Sequence, residues 1–156
     1  MEKNNNGANW TKPYEILHNA EKFREAAQRL RVGVPENRQS AIVTPSCVCA
    51  ALSIELYFKY LIFAKNNDLT ELSQAGHKLD SLFEKVPPDW KNKILENIAP
   101  TIPNDLFIKT LYEFRDAFEI WRYEYEYNKV TTTTRLHEMA DLLSVECKMI
   151  NDSIPI

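Results

Sequence analysis

The sequence predicts an all-α protein, an up-down bundle of about five to six helices, on three observations. Glycine is scarce, 3 in 156 residues, which argues against a turn-rich β architecture. Apolar residues recur at intervals of three and four rather than alternating, the spacing of one helix face. Prolines fall between those periodic stretches or in their first turns, where a missing amide is tolerated. A composition of 44% hydrophobic and 26% charged residues suits one ordinary core. That domain is expected over residues 10–156, after a polar, Asn-rich, flexible tail at 1–9 that lacks the apolar centre of a signal peptide.

The first helix opens on Thr11 and Pro13, a capping hydroxyl and a first-turn proline. Leu17, Ala20, Phe23, Ala27 and Leu30 make its apolar face, and Gly33 and Pro35 end it. A second helix begins within Ser40–Thr44 and ends at Asn66-Asn67. It is apolar nearly all round, which places it at the centre of the bundle. Its greasy run is long enough to raise a membrane span, but Glu55 and Lys59 sit mid-run and Pro45 interrupts its start. No membrane association is therefore expected.

After Asp68 comes a short segment, Leu69–Gln74, broken by Gly76. The third helix turns Leu79, Leu82, Phe83 and Val86 inward and stops at Pro87-Pro88. Asp89 is expected to cap the fourth, Trp90 to Ile98. Pro100 and Pro103 precede the fifth, which starts at Asn104 or Asp105 and is read through to the segment Trp121–Tyr127. In it Phe107, Leu111, Phe114, Phe118 and Trp121 alternate spacings of four and three. Such a heptad-like seam suits another helix or a partner subunit, so a homodimer is expected. Thr131–Thr134 is a β-branched linker, and the last helix, Arg135 to Ile150, aligns Leu136, Met139, Leu143, Cys147 and Ile150.

A formal net charge of -3 and a pI near 5.7 exclude a strongly basic nucleic-acid-coating surface, though not a local positive cleft. Cys47 and Cys49 are spaced too closely for a CxxC pair. With Cys147 they read as buried free thiols in a reducing, cytoplasmic setting. No Gly-rich phosphate loop, HExxH, GxSxG or EF-hand pattern occurs, and no cofactor or metal is expected.

Candidate functional residues gather at three places. Glu55 and Lys59, one turn apart on an apolar helix, form either a structural ion pair or the lining of a polar pocket. His77 follows a glycine break, where an imidazole caps backbone amides or points into a cleft. His18 and His137 are assigned to solvated flanks. Arg115 and Arg122 fall on one flank of the fifth helix at 100° per residue. There they either grip a phosphate or carboxylate or pair internally with Glu119 and Glu126. Tyr123, Tyr125 and Tyr127 alternate with acids that repel phosphate, so a packing or oligomer contact is favoured over base stacking.

Three stretches, Leu52 to Leu61, Gly76 to Phe83, and Phe114-Arg115-Asp116 through Trp121-Arg122-Tyr123, together resemble the HEPN family of small helical-bundle domains. The resemblance covers about residues 40–127. It implies a bundle that often dimerises, and either a metal-independent ribonuclease of toxin–antitoxin or defence systems or a non-catalytic module binding RNA, a nucleotide or a protein partner. Catalytic members of the family carry a histidine four to six residues after the arginine. Arg115-Asp116 matches the first half, but Ile120 and Trp121 stand where the histidine is expected. Metal-free RNA cleavage needs a proton carrier as well as cationic stabilisation. The expectation is therefore a non-catalytic binding module, with Glu55, Lys59, His77, Arg115 and Arg122 at its pocket. The alternatives are a divergent ribonuclease using His77 with Arg115, or a purely structural dimerisation domain.

Overall fold

The computed structural model describes residues 13–117 and 133–155. Among them are seven α-helices and no strand: α1 (Pro13–Arg29), α2 (Gln39–Asn66), α3 (Leu69–Gln74), α4 (Leu79–Lys85), α5 (Pro88–Ile98), α6 (Asn104–Glu113) and α7 (Thr133–Ser153), with a 3-10 turn at Glu36–Arg38. The fold class is all-α, as expected. The helices exceed the five or six anticipated because Leu69–Gln74 is one in its own right. Asp68 starts it by accepting the backbone amides of Thr70 at 2.8 Å and Glu71 at 3.4 Å.

The central element is α2, whose Ala50, Ile54, Tyr57, Phe58, Leu61 and Ile62 are buried all round its axis. It packs against α1, α3, α4 and α7. This helix is long and apolar enough to cross a membrane, yet 67% of its most apolar stretch is buried by the rest of the chain. α1 starts at Pro13, and Ile16, Leu17, Ala20 and Ala27 face the core. Phe23, expected inward, stays at the rim, 36% exposed. The Thr11 cap and the 1–9 tail lie outside the described residues.

A polar knot ties α1, α2 and α7 together. Tyr57 and Ser144 each donate a hydroxyl hydrogen bond to Glu21 Oε1, while Arg24 and Lys148 reach Oε2 at 3.1 and 2.9 Å. Burial alone would raise the Glu21 carboxyl. The four donors outweigh it and hold the group down at about 2. Burial and the same bond to Glu21 push the Tyr57 phenol far up. Cys47 and Cys147 are buried and in no disulfide, whereas Cys49 is only half-buried.

Leu79, Leu82, Phe83 and Val86 face inward from α4 as the spacing predicts. Phe83 sits 5.3 Å, centroid to centroid, from both Phe58 and Phe107, so an aromatic chain crosses from α2 through α4 to α6. Asp89 does not cap α5. Pro87 holds that position, Pro88 is the first helical residue, and Asp89 lies in the first turn.

α6 departs most from expectation, ending at Glu113 rather than near Tyr127. The Phe114 amide bonds Thr110 and Tyr112, Arg115 N–H reaches Tyr112 O, and Ala117 N–H reaches Phe114 O, a run of tight turns. Phe107, Leu111 and Phe114 are buried within the chain's own bundle, so these positions of the seam are filled by the core rather than by a partner subunit. Phe118, Trp121 and the Tyr123–Tyr127 strip lie outside the described residues.

In α7 the buried arc is wide, taking in His137, Ser144 and Glu146 as well as the expected apolar face. His137 is thus not on a solvated flank but 4% exposed. Its Nε2 lies 3.3 Å from Ser46 Oγ. Ser46 gives its hydroxyl proton to Val43 O, so its contact with the ring is met by a neutral tautomer protonated on Nε2, and Cys47 Sγ lies 3.8 Å from the same nitrogen. Burial, aided by Arg31, lowers the imidazole to about 4.

Candidate functional site

The candidate site begins with chain punctuation. Asn67 closes α2 in the left-handed region (φ 53°), and Gly76 takes φ 83° between α3 and α4. These two reversals carry the chain back along α2, so that His77, 22 residues from Glu55 in sequence, meets it in space.

Glu55 is 3% exposed. Lys59 Nζ, one turn on, donates to its Oε1 at 2.7 Å, the ion pair expected from the spacing. His77 Nδ1 lies 2.7 Å from the same oxygen. A carboxylate only accepts, so His77 carries its proton on Nδ1 in this contact. Lys59 Nζ and His77 Nδ1 are 3.4 Å apart because they share an acceptor, not because they bond each other. Glu55 Oε2 is buried and has no hydrogen-bond partner. His77 itself projects outward, its side chain 78% exposed, and is not a helix cap: α4 starts two residues later.

Facing these groups, the turn at 114–117 is clamped to α4 and its approach. Arg115 Nε lies 3.3 Å from Asp80 Oδ1, an ionic contact whose angle does not complete a hydrogen bond. Its guanidinium also sits 4.8 Å over the Tyr112 ring. Asp116 Oδ1 lies 3.6 Å from Lys78 Nζ. Arg115 is therefore in a turn rather than on a helix flank. Arg122, Glu119 and Glu126 lie outside the described residues.

Between these parts opens a cavity of about 670 Å³, walled by Leu52 and Ala75 and edged by Glu55, His77, Lys78, Ser81, Arg115 and Asp116. Of the residues expected at one pocket, Glu55, His77 and Arg115 line it, and Lys59 supports it through Glu55. Sequence reasoning missed Lys78, Ser81 and Asp116, although all three lie inside the stretches it singled out. Their signal was position next to His77 and Arg115, not spacing on a helix. Three acids (Glu55, Asp80, Asp116) balance three bases (Lys59, Lys78, Arg115), so the site bears no net charge while His77 is neutral. Among the described residues no group of three His, Cys, Asp or Glu side chains could hold a metal ion.

A largely apolar cavity of this size with a few convergent polar groups can enclose a small ligand and fix its orientation. It can also present His77 Nε2 as a proton acceptor, since Glu55 holds the proton on Nδ1. No protein-family model, no curated protein and no solved structure matches this chain.

Proposed function

We propose that this chain is a HEPN-like helical module that works by binding, and that its ligand is a nucleotide held in the cavity between α2, α4 and the 114–117 turn. The observation that carries this reading is the buried Glu55 carboxylate lining an apolar cavity with Arg115 and Lys78 at its edge. Apolar walls suit a base, and the two rim cations suit a phosphate. A nucleotide is favoured over a long RNA strand because every base of the site is matched by an acid. Strand binding needs a row of unmatched positive charge. Isothermal titration with nucleoside monophosphates tests it. Micromolar to millimolar binding, weakened about tenfold or more by Arg115→Ala in a folded protein, is the expected result. Affinity that ignores Arg115→Ala and Lys78→Ala alike contradicts the assignment.

One observation favours a second reading, a divergent metal-independent ribonuclease. His77 is oriented by Glu55 and shares the cavity with Arg115, which supplies the proton carrier that the arginine segment lacks. RNA incubated with the protein in EDTA separates the two. Cleavage lost in His77→Ala supports the ribonuclease, and intact RNA at high protein concentration removes it.

A further inference from the structure

Each lysine of the site and its arginine already has an acid: Lys59 has Glu55, Lys78 has Asp116 and Arg115 has Asp80. A phosphate entering such a site meets cations that are matched and carboxylates that repel it. A close phosphate contact therefore comes at the expense of one of these pairs, and the three differ in how readily they give way. Glu55 is buried, and taking Lys59 from it strands a charge in the interior. Arg115 is held twice, by Asp80 at 3.3 Å and by the Tyr112 ring at 4.8 Å, and both members of that ion pair are mostly buried. Lys78 Nζ and Asp116 Oδ1 stand 3.6 Å apart, beyond hydrogen-bond reach, on side chains 56% and 29% exposed. A pair so open to water contributes little to stability.

Lys78 and Asp116 both line the cavity, one just before α4 and the other in the 114–117 turn. We propose that Asp116 is an internal competitor for the ligand's phosphate: it holds the Lys78 ammonium until the phosphate takes its place. The inference rests on the nucleotide reading of the cavity and adds the residue that restrains its affinity for phosphate. A phosphate monoester carries nearly two charges and three strong acceptor oxygens, against one charge on a carboxylate, so it prevails at Lys78. Arg115, fixed by Asp80 and Tyr112, supplies a stationary second contact. The displaced Asp116 carboxylate, already part-exposed, is rehydrated. An uncharged nucleoside has nothing to offer Lys78 and leaves the pair intact.

The test compares the unaltered full chain with Asp116→Asn in equilibrium titrations, using AMP, GMP and adenosine as probes. Asp116→Asn is expected to tighten AMP and GMP about threefold to tenfold and to leave adenosine unchanged. The sign is diagnostic, because an ion pair that only supports the site would, when broken, weaken all three probes. Nucleotide affinity that stays the same or falls in Asp116→Asn, while still reduced by Arg115→Ala, overturns the competition and leaves the nucleotide reading intact. An equal gain for adenosine overturns it too, since the phosphate would then play no part. Lys78→Ala adds an independent arm: in that background Asp116→Asn is expected to lose most of its gain, and a full gain without Lys78 contradicts competition for its ammonium. No binding of AMP or GMP to any of these proteins at millimolar concentration overturns both the competition and the nucleotide reading.

Discussion

At Glu55 a buried carboxylate receives two donors on one oxygen and none on the other, and stability depends on the Lys59 contact. Removing one member of a buried pair strands the remaining charge, whereas removing both does not. Lys59→Met is therefore expected to lower unfolding free energy by about 3 kcal/mol in urea melts, and Glu55→Leu with Lys59→Met to lose much less. A neutral Lys59→Met contradicts the pairing. His137 makes a separate prediction. Its ring stays neutral down to about pH 4 in the fold but takes a proton near 6.5 when unfolded. Its contribution is complete above pH 6.5 and declines as the pH falls toward 4, by on the order of 3 kcal/mol at most. Glu21, held at about 2 against an ordinary 4.5, extends the decline below pH 4.5. Stability measured from pH 7 to 4 should thus fall in wild type and fall less in His137→Phe. Superimposable curves count against a buried neutral imidazole. Of these groups only the Glu55–Lys59 pair was legible in the sequence, because its four-residue spacing is local. His137 was misread because α7 buries a wider arc than a single apolar stripe.

Among the elements, α2, α4 and α7 were legible for one reason: their apolar pattern reports burial directly, continuous in α2 and on one face in the others. The end of α6 was not. Glu113-Phe114-Arg115-Asp116 contains neither glycine nor proline, and the four-and-three seam runs through it unbroken. Just past the helix end, Arg115 and Asp116 meet Asp80 and Lys78, contacts between residues far apart in sequence that no local pattern announces. The reversal at Gly76 was marked in the sequence as a break, but not as the device that delivers His77 to Glu55. A Cβ at Gly76 meets no atom within 4 Å, so alanine there is opposed only by its φ of +83°. Gly76→Ala is expected to cost about 1 kcal/mol and to weaken ligand binding by displacing His77. Unchanged stability and affinity would show that the positive φ is not required.

At the scale of the whole molecule, the buried core and the cavity at Glu55 divide the labour. Phe58, Phe83 and Phe107 join α2, α4 and α6 in a buried aromatic chain, while the cavity is edged largely by the 75–78 and 115–116 connections that those helices hold in place. Phe83→Ala is expected to destabilise by about 3–5 kcal/mol and to loosen the site with it. The cavity itself was only half visible beforehand: its acid, its histidine and one arginine were named, but their meeting depends on contacts far apart in sequence. The proposal that it is a nucleotide pocket is best tested by following backbone amide resonances of the isotope-labelled protein during titration with GMP. The account predicts saturable shifts concentrated at Leu52–Glu55, Ala75–Ser81 and Arg115–Asp116. No shifts at millimolar GMP, or shifts centred on another face of the bundle, would contradict it.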